Sequence, residues 1–279
     1  MPTSVFLVVL LAAALHAGWN AIVKGGGDKR LSTALVAASS GLLSAVALPF
    51  LDQPAAASWP FIAASALLHQ AYFALVMGAY HAGDMSRTYP LMRGTAPMLV
   101  AAASLALFGE ALAPAAWGGI AFITGGIVSL VLPRHPGRGN GGTVHALLNA
   151  VVIAAYTLVD GMGARLSQTP AAYTLWVFLI SALPFTAWAL SGPRRAAAVP
   201  YYFSNLRMGL IGGLGSVLSY ALVLWAMTLA PVAMVAALRE TSILFATAIA
   251  ALVLKERVGP ARIAAAGLIA TGAVVLRLS

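Results

Sequence analysis

The stretch LMRGTAPML, residues 91–99, buries a guanidinium in an apolar run. Arg93 lies about seven residues, or about 10 Å, inside that run at 1.5 Å per helical residue. Arginine stays protonated in proteins and its forked donors match a carboxylate. A permanent charge in such surroundings calls for a polar cavity or a partner. Pro90 and Pro97 bracket it, and a proline can bend a helix and leave carbonyls in need of water or a donor. Two readings follow. Arg93 faces a wet cavity and a substrate carboxylate, or it pairs with a carbonyl or acid of another span. Arg239 poses the same choice with Glu240 next to it. Helical neighbours point about 100° apart, so these two face different partners.

Other polar and aromatic side chains form stripes. His16, Trp19, Asn20 and Lys24 follow the i, i+3, i+4, i+8 spacing of one helix face. His69, Tyr72, Phe73, Val76 and Tyr80 make a second stripe, and Tyr156 and Asp160 share a face. Tyr220 would look across at the second stripe. Lys24 sits near a span end, where lysine reaches the interface. Trp19, Asn20, His69, Tyr72, Tyr80, Arg93, Tyr156, Asp160, Tyr220, Arg239 and Glu240 are the candidate substrate-binding residues. Both charge signs with aromatic walls suit a zwitterion. Positive walls alone would suit a sugar phosphate or nucleotide sugar.

Catalysis has little to work with. The histidines at 16, 69, 81, 135 and 145 are scattered, there is no HExxH, and no Ser–His–Asp order emerges. The chain lacks cysteine, which excludes thiolate metal sites and thiol nucleophiles. No Walker loop or dinucleotide fingerprint is present. We therefore expect no catalytic residue, no metal and no cofactor. No charged ring of the kind that filters ions repeats. Glu110 and Glu256 each stand shortly before a proline, Pro114 and Pro260. They are expected to cap the following helix or fix the hairpin. The Gly-rich stretches 118–126 and 209–215 put small residues at helix contacts.

These side chains must be positioned by membrane helices. Of 279 residues, 61% are hydrophobic and 8% charged, far below the quarter charged in a soluble domain. Charge-free runs of about 17–23 residues recur, the length that crosses a bilayer as a helix, without a barrel's strict alternation. Ten spans are expected at 4–23, 32–51, 60–82, 86–108, 114–132, 143–162, 171–191, 206–229, 232–253 and 260–278. The apolar start has no basic region and no cleavage-like end, so it is expected to be a retained first helix. The net charge of +9 reflects basic loops, not a nucleic-acid surface. Partners are a small-molecule substrate and the bilayer, with a monomer expected.

The loop 133–142, PRHPGRGNGG, divides the chain into halves at 1–132 and 143–279. The halves are related. With Arg239 placed beneath Arg93, Thr241 falls beneath Thr95, Glu256 beneath Glu110 and Pro260 beneath Pro114. At a slightly different offset HAGWNAIVKGG aligns with IAAYTLVDGMG, Trp19 over Tyr156. Five spans per repeat force opposite orientations, the inverted-repeat plan of secondary transporters. The fold expected is an all-α membrane protein, ten transmembrane helices as two inverted five-helix repeats around a central cavity. Basic residues gather in the loops after odd spans, which places those loops in the cytoplasm and both termini outside.

The paired repeats, HAGWN with its following lysine, and the hairpins GEALAP and KERVGP resemble the EamA-domain carriers of the drug/metabolite transporter superfamily. The sub-type most similar is the bacterial amino-acid exporters of the YddG kind. The resemblance implies a ten-helix basket with a cavity lined by spans 1, 3, 4, 6, 8 and 9, and spans 5 and 10 packed outside. It also implies a multi-pass protein of the bacterial inner membrane that exports amino acids or related metabolites by alternating access. The family is often drawn with cytoplasmic termini, opposite to the charge count.

Overall fold

The computed structural model describes residues 1–131, 142–192, 194–253, 255 and 258–279, with side chains at all of these except 85, 86 and 194. The described chain is helical: α1 (Thr3–Gly25), α2 (Lys29–Ala47), α3 (Trp59–Ala82), α4 (Met85–Phe108), α5 (Pro114–Ser129), α6 (Thr143–Ser167), α7 (Pro170–Ala189), α8 (Arg194–Leu229), α9 (Val232–Arg239), α10 (Ser242–Leu252) and α11 (Pro260–Leu278). α9 and α10 are two halves of one span, Val232–Leu252. Among the described residues nine spans are long and apolar enough to cross a membrane, and α5 is a shorter apolar helix. Most of the loop 133–142 lies outside the described residues; Gly142 is the helix-entry residue at φ +85.

Large apolar side chains stand on the surface. Leu7, Leu42, Leu67, Phe203 and Leu278 are all exposed, as lipid tails rather than water would require. Helices in lipid associate through close packing of small residues. Gly119 and Gly126 of α5 and Gly272 of α11 sit where a side chain would press on the facing backbone, at Gly272 O, Ala265 O and Gly119 O. Gly209, Gly212 and Gly213 let α8 close on Leu35, Val36 and Ser39 of α2. Both Gly-rich stretches thus act at helix contacts. α5 and α11 pair on the outside, where they hold none of the candidate residues.

Both chain ends lie on one side. Arg277 donates to Met1 O at 2.9 Å and to the Thr3 hydroxyl at 2.6 Å. On this side α1 and α9 are closely packed. The buried residues of α1 are Val5, Val9, Ala12, Ala13 and Ala17; beyond Ala17 the helix has none. α9 is buried along its whole length.

Candidate functional site

α4 stays a continuous helix through Pro90 and Pro97. Its Arg93 does not point into an open wet cavity. Nε donates to Glu240 Oε2 at 3.0 Å, and Nη2 lies 2.7 Å from Oε1, with both side chains almost fully buried. One charge-assisted hydrogen bond and one close ion-pair contact thus join two spans, with Nη2 outside hydrogen-bond geometry. Glu240 is thus held by Arg93 and not by its neighbour.

The break between α9 and α10 creates this arrangement. Three-residue turns replace the regular ladder: Glu240 N–H donates to Ala237 O, and Thr241 N–H to Leu238 O. Threonine and serine at 241 and 242 favour helix ends over helix interiors. The break turns Arg239 and Glu240 to different neighbours, as their spacing predicted. Arg239 is buried, and its guanidinium carbon lies 5.7 Å from the centre of the Tyr220 ring. Its Nε has no hydrogen-bond partner. Ala96, Pro97, Thr157 and Ala236 leave a void beside Arg239 and Glu240 of roughly 10 Å³, room for about one water.

Tyr220 joins Arg239 to a buried acid. Its hydroxyl donates to Asp160 Oδ2, and the Tyr173 hydroxyl donates to Asp160 Oδ1 at 2.9 Å. The Ser65 hydroxyl also faces this carboxyl. Asp160 is fully buried. His69 donates Nδ1–H to Ser65 O at 2.9 Å. Its ring stacks on Tyr156 at 4.6 Å and meets Tyr220 edge-on at 6.2 Å. Tyr72 meets Tyr156 edge-on at 6.0 Å. Hence His69, Tyr72, Tyr156, Asp160, Tyr220 and Arg239 form one continuous aromatic and polar group.

The remaining candidates lie nearer the basic-loop side. Trp19 is edge-on to His16 at 5.3 Å, and Asn20 donates to His16 O at 2.8 Å, so its amide serves its own helix. His16 is within electrostatic reach of both Arg93 and Arg239. Tyr80 and Tyr89 are within reach of Arg93. Sequence reasoning left out Tyr89, Tyr173 and Ser65. Tyr89 had a signal, being one helical turn before Arg93. Tyr173 and Ser65 had none, because only tertiary packing brings them to Asp160. Trp225 is on the outside, 38% exposed.

Of the two roles expected of Glu110, capping the next helix is not the one it takes, and its bond to Ser104 ties the hairpin. It accepts from Val232 N–H at 3.2 Å, so it caps α9 rather than α5. It also takes the Ser104 hydroxyl at 2.6 Å and Arg165 Nη1 at 2.6 Å. Arg165 in turn donates to Met227 O at 2.8 Å and Ala230 O at 3.1 Å. The knot ties the ends of α4, α6 and α8 to the start of α9 on the termini side. Glu256 lies outside the described residues. Partial burial pushes the Glu110 carboxyl up, but Ser104, Arg165 and the Val232 N–H together hold it below its ordinary value. A lowered folded value means the stabilisation is complete above the unfolded value, about pH 4.3, and is lost as pH falls through the folded one. Glu110→Gln should therefore lower the melting temperature in detergent at neutral pH, and the gap to the parent should close on acidification. A gap independent of pH would remove the charge from this role.

Comparison with known proteins agrees with this architecture. Residues 140–278 match the EamA-like transporter family. No curated protein sequence matches the chain. Among solved structures, 26 chains resemble it. One, titled only "Crystal structure of protein", is 22% identical with a TM-score of 0.72, covering 100% of this chain and 98% of its own. At that identity the likeness speaks for the fold alone.

Proposed function

We propose, from the premise that residues 140–278 form an EamA-like transporter domain, that the whole chain is a secondary carrier. That family implies a membrane transporter of the drug/metabolite type. On our reading it exports amino acids or related small zwitterions, as in the YddG-type sub-group, across a bacterial inner membrane. The observation that carries this reading is a buried guanidinium and a buried carboxyl joined by one tyrosine. Arg239 has no acid partner among the described residues, and Asp160 is held by hydroxyls. A zwitterion can lay its carboxylate on Arg239 and its ammonium on Asp160, taking the place of Tyr220 between them. Arg93 and Glu240 already neutralise each other as an ion pair, so they brace the site from behind.

Helix packing supports an inverted repeat. α1 packs on α8 as α6 packs on α3, and α4 packs on α6 as α10 packs on α1. α2 pairs with α7 and α5 with α11. A two-fold axis relating each span to the one five later would produce this pattern. With Asp160 and Arg239 both buried, a metabolite reaches them on this reading only when the repeats part, and rocking them about the α9–α10 break would supply alternating access. The basic loops favour the cytoplasm for their side, against the usual drawing of the family, and the orientation stays open between the two.

A counterflow screen on purified protein in liposomes tests the substrate class. Amino acids, nucleotide sugars and cationic drugs would each be tried as exchange partners. Exchange of amino acids is expected. Exchange confined to nucleotide sugars or sugar phosphates would transfer the site to a phosphate-bearing anion, and no exchange of any class would leave a scaffold or lipid-handling protein.

A further inference from the structure

Two acids lie buried within membrane-spanning helices, and their shells differ in kind. Glu240 is gripped by Arg93. A guanidinium has donors and no acceptor, so it tolerates only the ionised carboxylate. Asp160 is surrounded by the hydroxyls of Tyr173, Tyr220 and Ser65. A hydroxyl donates or accepts, so each of these bonds can reverse if the carboxyl gains a proton. The shell of Asp160 therefore fits both protonation states, and that of Glu240 fits one.

We propose that Asp160 is the proton-exchange site of this carrier, releasing one proton when a substrate ammonium docks on it. The inference rests on the amino-acid reading above. In the empty site a bare carboxylate would lie in a low-dielectric interior without a cation in salt-bridge contact among the described residues, an expensive state. A proton removes that charge. When the ammonium arrives, the O–H bond of Asp160 breaks, the proton passes to water, and the new carboxylate pairs with the ammonium. Asp160 itself goes from a neutral acid to a neutral carboxylate–ammonium pair, the site as a whole loses the one positive charge that the proton carries away, and proton and substrate exclude each other. Seen over a full cycle, this is one-for-one antiport.

The groups facing Asp160 come from each surrounding helix. α3 contributes Ser65 and His69, α6 Tyr156, α7 Tyr173 and α8 Tyr220, with Arg239 of α9 beyond the Tyr220 ring. His69 is the competing carrier. Its Nδ1–H is engaged by Ser65 O, which leaves Nε2 to exchange a proton. Tyr156 stacked on its ring limits its movement.

The test uses full-length protein in weakly buffered detergent and, as probe, an equal-concentration mixture of the twenty protein amino acids adjusted to the same pH. Binding is read as a thermal shift and proton release with a pH dye. About one proton released per protein at saturation is expected. Asp160→Asn should bind more weakly and release none at concentrations that restore the thermal shift, and His69→Gln should still release one. Binding by the parent without release overturns proton exchange and leaves the carrier reading standing. Release lost in His69→Gln but kept in Asp160→Asn moves the proton to the histidine and overturns the assignment. No thermal shift in the parent overturns the amino-acid reading and this inference with it. Should Asp160→Asn fail to fold, infrared difference spectra of the parent decide: the carbonyl band of a protonated carboxyl should vanish on adding the mixture, and its persistence overturns the proposal.

Discussion

Arg239→Gln is expected to lower amino-acid counterflow by at least about tenfold, since a hydrogen bond to a charged group contributes about 1.5–3 kcal/mol. The same substitution should change the melting temperature of the empty protein little. Arg239 is buried with an unsatisfied Nε and no acid in salt-bridge contact among the described residues, so its removal breaks no direct ion pair while it deletes the carboxylate seat. Flux at constant protein in the membrane and melting temperature in detergent, measured side by side, separate the two effects. Unchanged flux would end the case for Arg239 as the anion seat. Lost flux with a lower melting temperature would make it a structural residue.

Arg93 and Glu240 should behave in the opposite way. Removing one partner of a buried ion pair leaves an uncompensated charge and costs about 3–5 kcal/mol, whereas replacing both by apolar side chains of similar volume is often neutral or stabilising. Arg93→Met alone and Glu240→Leu alone should each sharply reduce the yield of folded protein and its melting temperature. Arg93→Met combined with Glu240→Leu should recover most of the loss. If the pair only braces the helices, the double variant also transports. A stable double variant without transport would place the pair in the transport cycle itself.

Much of this architecture was legible because lipid imposes simple rules. Apolar runs of bilayer length gave the spans, and the recurring Arg, Thr, Glu and Pro are the ground on which the two halves are proposed to be related. The span limits differed where helices run past the apolar zone. α8 starts at Arg194 rather than near 206, and α6 runs to Ser167 rather than 162. Arginine and asparagine are compatible with helix, so loss of hydropathy there did not mean loss of helix. The break at Glu240–Thr241 was invisible, because neither proline nor glycine marks it. Arg93 illustrates the limit for the site. Its burial could be read from the sequence, but its partner comes from a span more than half the chain away, and only packing selects Glu240 over a substrate. Stripes placed Tyr156 with Asp160 correctly. The joining of Asp160 to Arg239 through the face and hydroxyl of Tyr220 depends on three helices meeting, which no local spacing encodes.

The interruption between α9 and α10 also makes the order of Arg239 and Glu240 matter. A helix carries partial negative charge at its carboxyl end and partial positive charge at its amino end. α9 ends at Arg239 with Glu240 as its carboxyl-end cap, and Thr241 and Ser242 open α10, so the guanidinium stands in the last turn, whose field favours a cation. Exchanging the two residues would keep composition and net charge, yet put a carboxylate in that turn and lose an interaction of about 0.3–1 kcal/mol. The short run Arg-Glu-Thr-Ser is therefore directional. It allows a membrane span to stop and restart inside the bundle with a cation at the carboxyl end of its first half.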